Sequence, residues 1–475
     1  MRRMKIHMSA IAGTAMASLA GLLRDRGHEV TGSDQDIYPP MSTQLEELGI
    51  PVRSPYAESN VPEDAELVVI GNALSRGNPE VEIVLDRKQR MASLPSILAE
   101  HIIRGHESLV VAGTHGKTTT TSMLAFLLDQ AGLDPSFLIG GVPADFARSY
   151  RLAKGKHFVV EGDEYDSAFF DKRPKFVHYL PDIAVIGNLE YDHADIYPDL
   201  AAVQLAFVRL MQMIPRKGLL VAGIESAPLR DILPRAMCRV ETFTLGSMNA
   251  DWHGQDAGPA PDGGWKFRLH HAGKDLGEYS VQLPGEHNVR NAIAAIAVAN
   301  AAGVAPEKSR EILARFRGVK RRLEVKGKAR GVIVYDDFAH HPTAVRETLH
   351  ALQMDKTVGG RLVAVFEPRS YTSRTRIFQD DFAKAFEGAD AVIVAAAHLP
   401  GKVPEKERLS EGDLVHAMEA RGQNARFIGP VDDIVAHLAR ELREGDRVVI
   451  LSNGGFGGIH GKLLAALAEP VPLSR

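Results

Sequence analysis

Residues 110–123 read "VVAGTHGKTTTTSM". The stretch ends as a phosphate-binding loop ends, with Gly116-Lys117-Thr118, yet the usual G-x-x-x-x-G-K-[ST] spacing requires glycine at position 111, where Val111 stands. It is therefore either a shortened nucleotide loop, with Gly113 as its first glycine, or a glycine-lysine turn at a helix N-cap. Its surroundings decide. The apolar strand "SLVVAG" (108–113) precedes it, and "TTSMLAFLLDQAG" (120–132), a helical pattern stopped by Gly132, follows it. Strand, glycines, lysine, hydroxyl and helix in that order are what an anion needs: backbone N–H groups at a helix N-terminus, a lysine charge, and a hydroxyl oxygen for Mg²⁺. Gly113, Thr114, His115, Gly116, Lys117, Thr118 and Thr119 are accordingly read as nucleotide-binding.

Working outward, apolar β-rich runs alternate with helical patterns: 66–73, 108–114, 157–163, 183–189 and 218–223, then 331–337, 361–369, 389–396 and 446–453. Continuous apolar strands separated by helices predict parallel sheets covered on both faces, an α/β architecture. At 475 residues the chain is too long for one ordinary core. The polar, glycine-bearing stretches "GHE" (105–107) and "VKGKARG" (325–331) divide it into expected domains 1–106, 107–326 and 327–475. Residues 247–280, rich in Gly, Pro and Asp-Gly signals, predict β hairpins added to the middle domain.

The N-terminus, "MRRMKIHMSAIAGTAMASLAGLLRDRG", has the outline of a secretory signal but reads better as strand, turn and amphipathic helix closed by Gly27. No apolar run reaches transmembrane length, and the single cysteine, Cys238, rules out an internal disulfide. These features predict a cytoplasmic protein with no stable membrane association. A net charge of −4 without a Lys/Arg block excludes a general nucleic-acid binder.

Two strands end in acids. "VVEGDEYDSAFFDKRPKF" (159–176) crowds Glu161, Asp163, Glu164 and Asp166, and "IAVIGNLEYDHADIY" (183–197) gathers Asn188, Glu190, Asp192, His193 and Asp195. Carboxylates at the C-terminal ends of parallel strands are placed to hold Mg²⁺ beside a bound triphosphate.

"GTHGKTT" (113–119), "EGDEYD" (161–166), "NLEYDH" (188–193), "GEHNVRNAIAA" (285–295) and "DDFAHHPTAV" (336–345) occur in the order of the Mur ligases, ATP-dependent amide-forming enzymes of peptidoglycan synthesis, whose phosphate loop is the shortened G-T-x-G-K-T. The resemblance covers essentially the whole chain. It implies an N-terminal Rossmann-like domain for a UDP-sugar, a central P-loop ATPase-like domain, and a C-terminal Rossmann-like domain for the peptide.

By that resemblance Lys117 contacts the ATP phosphates, Thr118 and Glu161 hold one magnesium, and His193 approaches a second. Asn291 stands at the adenine, Asn288 beside it on the same helix is also nucleotide-binding, Arg322 reaches ATP across the domain junction, and Asp337 binds ribose. His340 lines the cleft near substrate; either it or His193 serves as the base. In the first domain, Gly13 and Thr14 of "AGTAM" and Asp34 of "TGSDQ" are expected at the UDP-sugar, although Ser9 and Ala12 stand where a dinucleotide fingerprint has glycine.

Several Mur ligases carry a carbamoylated lysine about fifteen residues after the histidine; the corresponding place here is near Val208, and residues 176–216 contain no lysine. The branch acting directly on UDP-N-acetylmuramate also lacks it. Within that branch, "NALSRGNPEVE" (72–82), "FFDKRPKFVHY" (169–179), "YPPMSTQLEELG" (38–49) and "SNGGFGGIHGKLL" (452–464) resemble members that attach a recovered L-Ala-γ-D-Glu-meso-diaminopimelate tripeptide, a muropeptide fragment. The alternative is the L-alanine-adding branch. The resemblance implies UDP-N-acetylmuramate and tripeptide as substrates, ATP and Mg²⁺ as cofactors, and an acyl phosphate intermediate. Arg369 and Arg374 of "EPRSYTSRTR" (367–376), with Asn453 and Gly454, are the expected peptide contacts. Replacing Lys117 by alanine is expected to abolish most activity and leave unfolding stability nearly untouched.

Overall fold

The computed structural model describes residues 2–35, 37–38, 41–246, 249–261, 263–355, 359–399, 401 and 403–468. Pro39 and Pro40 of "YPPMSTQLEELG", and Ser247, Met248 and Asp262 of the expected hairpin region, lie outside these residues.

The first sheet orders its strands Val52–Arg53, Glu29–Ser33, Lys5–Ser9, Leu67–Ile70 and Met91–Ser93, all parallel. Lys5–Ser9 lies at its centre, and the helix Thr14–Asp25 buries Met16, Leu19, Leu22 and Leu23 against it. The basic, apolar N-terminus is thus an internal strand and its crossover helix. Among the described residues no helix is long and apolar enough to cross a membrane.

The central sheet has ten strands. Its parallel heart runs Arg239–Leu245, Leu219–Gly223, Ile183–Ile186, Glu107–Ala112, His157–Gly162 and Ser136–Leu138. Four of these strands, Glu107–Ala112, His157–Gly162, Ile183–Ile186 and Leu219–Gly223, are apolar runs of the sequence; both faces of Glu107–Ala112 are covered, so nothing polar interrupts it. Trp252–Pro259, Trp265–His271 and Lys274–Val281 extend one edge as the antiparallel hairpins expected there. The helix Lys117–Gln130 shares one core with the alanine-rich helix Glu286–Ala301, whose small side chains permit close approach.

The third sheet orders Glu324–Ala329, Val332–Asp337, Arg447–Leu451, Leu362–Phe366, Ala391–Val394 and Ala425–Phe427. The first pair is antiparallel and the rest parallel. Residues 325–331, expected as a connection, belong to this edge strand and its turn, so a cut between 326 and 327 divides a paired element. The misreading has a simple cause: an exposed edge strand alternates Lys with small residues and carries no apolar run.

Register places the site. Ala112 pairs with Ile186 on one side and Gly162 on the other, so three strands end level with one another and deliver residues 113–118, 161–166 and 187–193 to one edge of the sheet.

Candidate active site

The phosphate loop uses backbone that glycine adopts readily. Gly113 has φ 129° and Gly116 φ 81°. A Cβ on Gly116 would lie 2.3 Å from Asn291 Oδ1, so this glycine also admits the helix Glu286–Ala301 against the loop. Asn188 braces the other side: its Oδ1 accepts the His115 amide at 2.8 Å and its Nδ2 donates to the His115 carbonyl at 3.3 Å. Thr114 Oγ1 accepts the Glu190 amide at 2.9 Å. Gly116 caps the helix Lys117–Gln130 without a side chain, leaving that end open to an anion, and Thr119 is buried in its first turn. Val111, where the longer motif has glycine, is an ordinary buried strand residue paired with Val185 and Glu161.

Charge is concentrated beside this loop. Lys117 Nζ lies 2.8 and 3.0 Å from the two oxygens of buried Glu164 and donates to the Gly113 carbonyl at 2.8 Å. Burial works against the ammonium, but Glu164 and Asp163 outweigh it and its pKa is raised. Thr118 Oγ1 donates to Glu161 Oε2 at 3.1 Å, while Glu161 Oε1 accepts the Gly140 amide at 2.5 Å. Burial raises the Glu161 pKa in spite of those partners. Asp163 accepts from Lys175 Nζ at 2.6 Å.

His193 takes a left-handed conformation, φ 55°, that turns its ring onto Glu164, with Nε2 3.4 Å from Oε1. Burial depresses its pKa, yet Glu164 and Asp192 prevail and push it up to about 9. Asp163, Glu164 and His193 offer ligand atoms within 4.8 Å of one another. Of the three metal ligands expected from the sequence, Thr118 meets Glu161, while His193 lies with Glu164 and Asp163.

The C-terminal section reaches the loop. Arg322 Nη2 lies 3.4 Å from Thr118 Oγ1 and its guanidinium packs over Phe338 at 5.0 Å. Asp337 is buried and spends both oxygens at home, on the amides of Leu323 and Ala339 at 2.7 and 2.8 Å and on Thr348 Oγ1 at 3.3 Å. Asn291 Nδ2 donates to Asn288 Oδ1 at 3.3 Å, and Asn288 in turn to the Pro284 carbonyl at 2.7 Å. His340 Nδ1 donates to the Phe338 carbonyl at 2.9 Å, which fixes its proton there and leaves the Nε2 lone pair available; burial lowers its pKa.

Elsewhere the expected residues divide. Gly13 and Thr14 are exposed at the start of the helix Thr14–Asp25, and Asp34 accepts the Ala12 amide at 2.8 Å and the Tyr56 hydroxyl at 2.8 Å, which orders that turn. Gly454 and Arg369 meet closely: a Cβ on Gly454 would lie 1.9 Å from Arg369 Nε. Asn453 Oδ1 is buried there without a hydrogen-bond partner among the described residues. Arg374 is different, because its Nη1 donates to the His398 and Leu399 carbonyls at 3.0 Å each and its Nε to the Ser370 carbonyl at 3.2 Å. That guanidinium commits its Nε and Nη1 to backbone carbonyls.

Sequence reasoning did not single out Glu164, which salt-bridges both Lys117 and His193, nor Asn188, Gly140 and Thr372, whose hydroxyl donates to buried Asp192 at 2.9 Å. Four acids within six residues carry no signal that Glu164 and Asp166 are the two turned inward.

Three family descriptions match successive parts of the chain: "Mur ligase family, catalytic domain" over residues 5–106, "Mur ligase middle domain" over 111–299 and "Mur ligase, glutamate ligase domain" over 321–454. The UDP-N-acetylmuramate–L-alanyl-gamma-D-glutamyl-meso-2,6-diaminoheptandioate ligase of Escherichia coli K12 is 44% identical over 470 residues, 98% of this chain and 99% of that one. The UDP-N-acetylmuramate–L-alanine ligase of Geobacter sp. M21 is 36% identical over 464 residues, 98% of this chain and 97% of that one. The crystal structure of a murein peptide ligase from Psychrobacter arcticus 273-4 superposes with a TM-score of 0.76 at 38% identity, covering 99% of this chain and 100% of that one.

Proposed function

The chain belongs to the Mur ligase family, and we propose that it uses ATP to join the carboxylate of UDP-N-acetylmuramate to the amine of L-alanyl-γ-D-glutamyl-meso-diaminopimelate. The near full-length 44% identity to a ligase named for that tripeptide supports the peptide over free L-alanine. The observation that carries the chemistry is the meeting of Lys117, Thr118, Glu161 and Arg322 at one uncapped helix end.

In this reading the muramate carboxylate attacks the γ-phosphorus of ATP, the bond to the β,γ-bridging oxygen breaks, ADP leaves and an acyl phosphate forms. The amine then attacks the acyl carbon, and collapse of the tetrahedral intermediate releases phosphate and leaves the amide. Lys117 and the first amides of its helix stabilise charge on the transferred group. Thr118 and Glu161, with the oxygens of Asp163 and Glu164 nearby, offer the hard donors that Mg²⁺ selects, and Mg²⁺ bound there neutralises phosphate charge. His340 is the better-supported base, since its Nδ1–H is committed to Phe338 and its Nε2 is left to accept a proton. ATP and a UDP-sugar as substrates place the reaction in the cytoplasm.

Phosphate release measured with ATP, UDP-N-acetylmuramate and either tripeptide or L-alanine at equal concentration tests the assignment. The tripeptide is expected to be far faster, because its extra carboxylates and amides add contacts beyond the roughly 1–3 kcal/mol that one methyl supplies. L-alanine turned over as fast or faster would move the assignment to the L-alanine-adding branch.

A further inference from the structure

A second constellation includes a residue of the phosphate loop and shares no member with the Asp163, Glu164 and His193 group. His115 of the loop, Glu190 and His341 offer ligand atoms within 4.8 Å of one another. Glu190 Oε2 is their meeting point, 3.3 Å from His115 Nε2 and 3.7 Å from His341 Nδ1. The two rings sit 4.8 Å apart, centre to centre.

From this geometry we infer a binding site for a borderline divalent cation of the Zn²⁺ class, held by His115 Nε2, Glu190 Oε2 and His341 Nδ1, which staples the phosphate loop to the C-terminal section.

Three features carry it. Neighbouring ligands around a tetrahedral ion with metal–ligand bonds of about 2.0–2.1 Å stand roughly 3.3 Å apart, so the two nitrogen–oxygen separations need little adjustment. His341 is already in the tautomer a metal wants. Its Nε2 faces the Tyr191 carbonyl at 3.2 Å, which can only accept, so the proton is on Nε2; Nδ1 keeps its lone pair and takes only a long 3.3 Å contact from the Thr343 amide. An imidazole that donates its far N–H to a carbonyl is the usual support for a metal ligand. Glu190 is oriented as well, accepting from Thr343 Oγ1 at 2.7 Å. Two imidazoles and one carboxylate favour Zn²⁺ over Mg²⁺, which selects oxygen, and leave a fourth position open. Binding uses the Nε2 lone pair of His115, so the neutral ring carries its proton on Nδ1, and no oxidation state changes.

The test uses chelator-treated, full-length protein titrated with Zn²⁺ against a chromophoric chelator. One equivalent is expected to bind, with affinity reduced roughly tenfold or more in His115→Gln and in His341→Asn. Asparagine at 341 can still cap the following helix as the ring nitrogen does, so this variant keeps the fold. Excess Mg²⁺ is expected to leave Zn²⁺ in place, and His193→Gln to retain it. Zn²⁺ should also raise the melting temperature of the parent protein and not that of His341→Asn, since a ligand held by the native state alone stabilises it. Zn²⁺ binding that ignores His115 and His341 but disappears in His193→Gln, or no stoichiometric binding, overturns the inference. None of these readouts depends on ligase activity, so the inference and the proposed reaction fail separately.

Discussion

Lys117 Nζ and Glu164 form a buried, two-oxygen ion pair at 2.8 and 3.0 Å inside the loop proposed to receive the ATP phosphates. Before nucleotide arrives, the lysine's charge is already matched. A carboxylate that is 2% exposed tolerates this position only while its partners remain, since burying an unpaired charge is costly.

This changes what Lys117→Ala should do. The rate of phosphate release is expected to fall about a hundredfold or more. Stability should fall too, by roughly 3 kcal/mol, because among the described residues Glu164 then keeps only His193 as an ionic neighbour. The loop sequence alone suggested a purely catalytic loss. Chemical denaturation of nucleotide-free Lys117→Ala and of Lys117→Ala/Glu164→Gln decides: the second change should restore much of the lost stability and none of the activity.

Gly116 carries a prediction about packing. Alanine there must adopt φ 81° and place its methyl 2.3 Å from Asn291 Oδ1. Left-handed backbone costs a non-glycine residue about 1–2 kcal/mol, and the clash adds to it. Gly116→Ala should weaken ATP binding, measured by calorimetry, and lower the melting temperature. In an Asn291→Ala background the same change should cost less, and equal costs in both backgrounds would show that the asparagine does not press on the loop.

His287 predicts a limb of the acid stability profile. Burial, with Arg290 and Arg322 nearby, lowers its pKa to about 4 from an ordinary 6.5. A base held neutral in the fold binds fewer protons than in the unfolded chain, so its contribution is complete above pH 6.5 and is lost as pH falls towards 4. Its ring is 30% exposed, which limits the effect to about 1–2 kcal/mol. Unfolding of His287→Gln should show a shallower decline between those two pH values than the parent protein. An unchanged slope would place the histidine's titration at its ordinary position.

The missing lysine gives a chemical prediction. Val208 is 3% exposed on the helix Leu200–Met213, and residues 176–216 offer no amine to carry a carbamate. Activity is therefore expected to be the same in degassed, bicarbonate-free buffer, and rescue by added bicarbonate would reveal a carbamate on another lysine.

What the sequence disclosed and what it withheld follow from the range of the forces involved. The apolar runs ending at Ala112, Gly162 and Ile186 were legible because a buried parallel strand must be apolar throughout, and the loop was legible because its chemistry is contiguous in the chain. The edge strand Glu324–Ala329 was not, since it is exposed and owes its shape to pairing with Val332–Asp337. Arg374 had the residue type for a carboxylate contact but is consumed by carbonyls of residues 398 and 399. Arg322 was read from the resemblance, whereas its approach to Thr118, 204 residues away, exists only in the fold.

Gly454 bears on which amine is joined. Its hydrogen gives Arg369 room, since a Cβ would stand 1.9 Å from Nε and 2.2 Å from Cζ, too close for any side chain. Arg321 holds that loop in place by donating to the Ser452 and Gly454 carbonyls at 2.6 and 2.7 Å, so the backbone cannot retreat and the guanidinium must move. Among the described residues Arg369 has one ionic neighbour, Glu367 at 3.5 Å, and it is 27% exposed, which leaves donors for a peptide carboxylate. If Arg369 binds the tripeptide, Gly454→Ala should raise the tripeptide KM about tenfold or more while the KM for ATP stays near its parent value, a difference visible in phosphate-release kinetics. Arg369→Lys should act in the same direction, because an ammonium cannot pair with a carboxylate through two parallel bonds. Equal losses for ATP and tripeptide would instead mean that the Gly454 loop shapes the whole cleft, and the acceptor's carboxylates would have to be met by other groups.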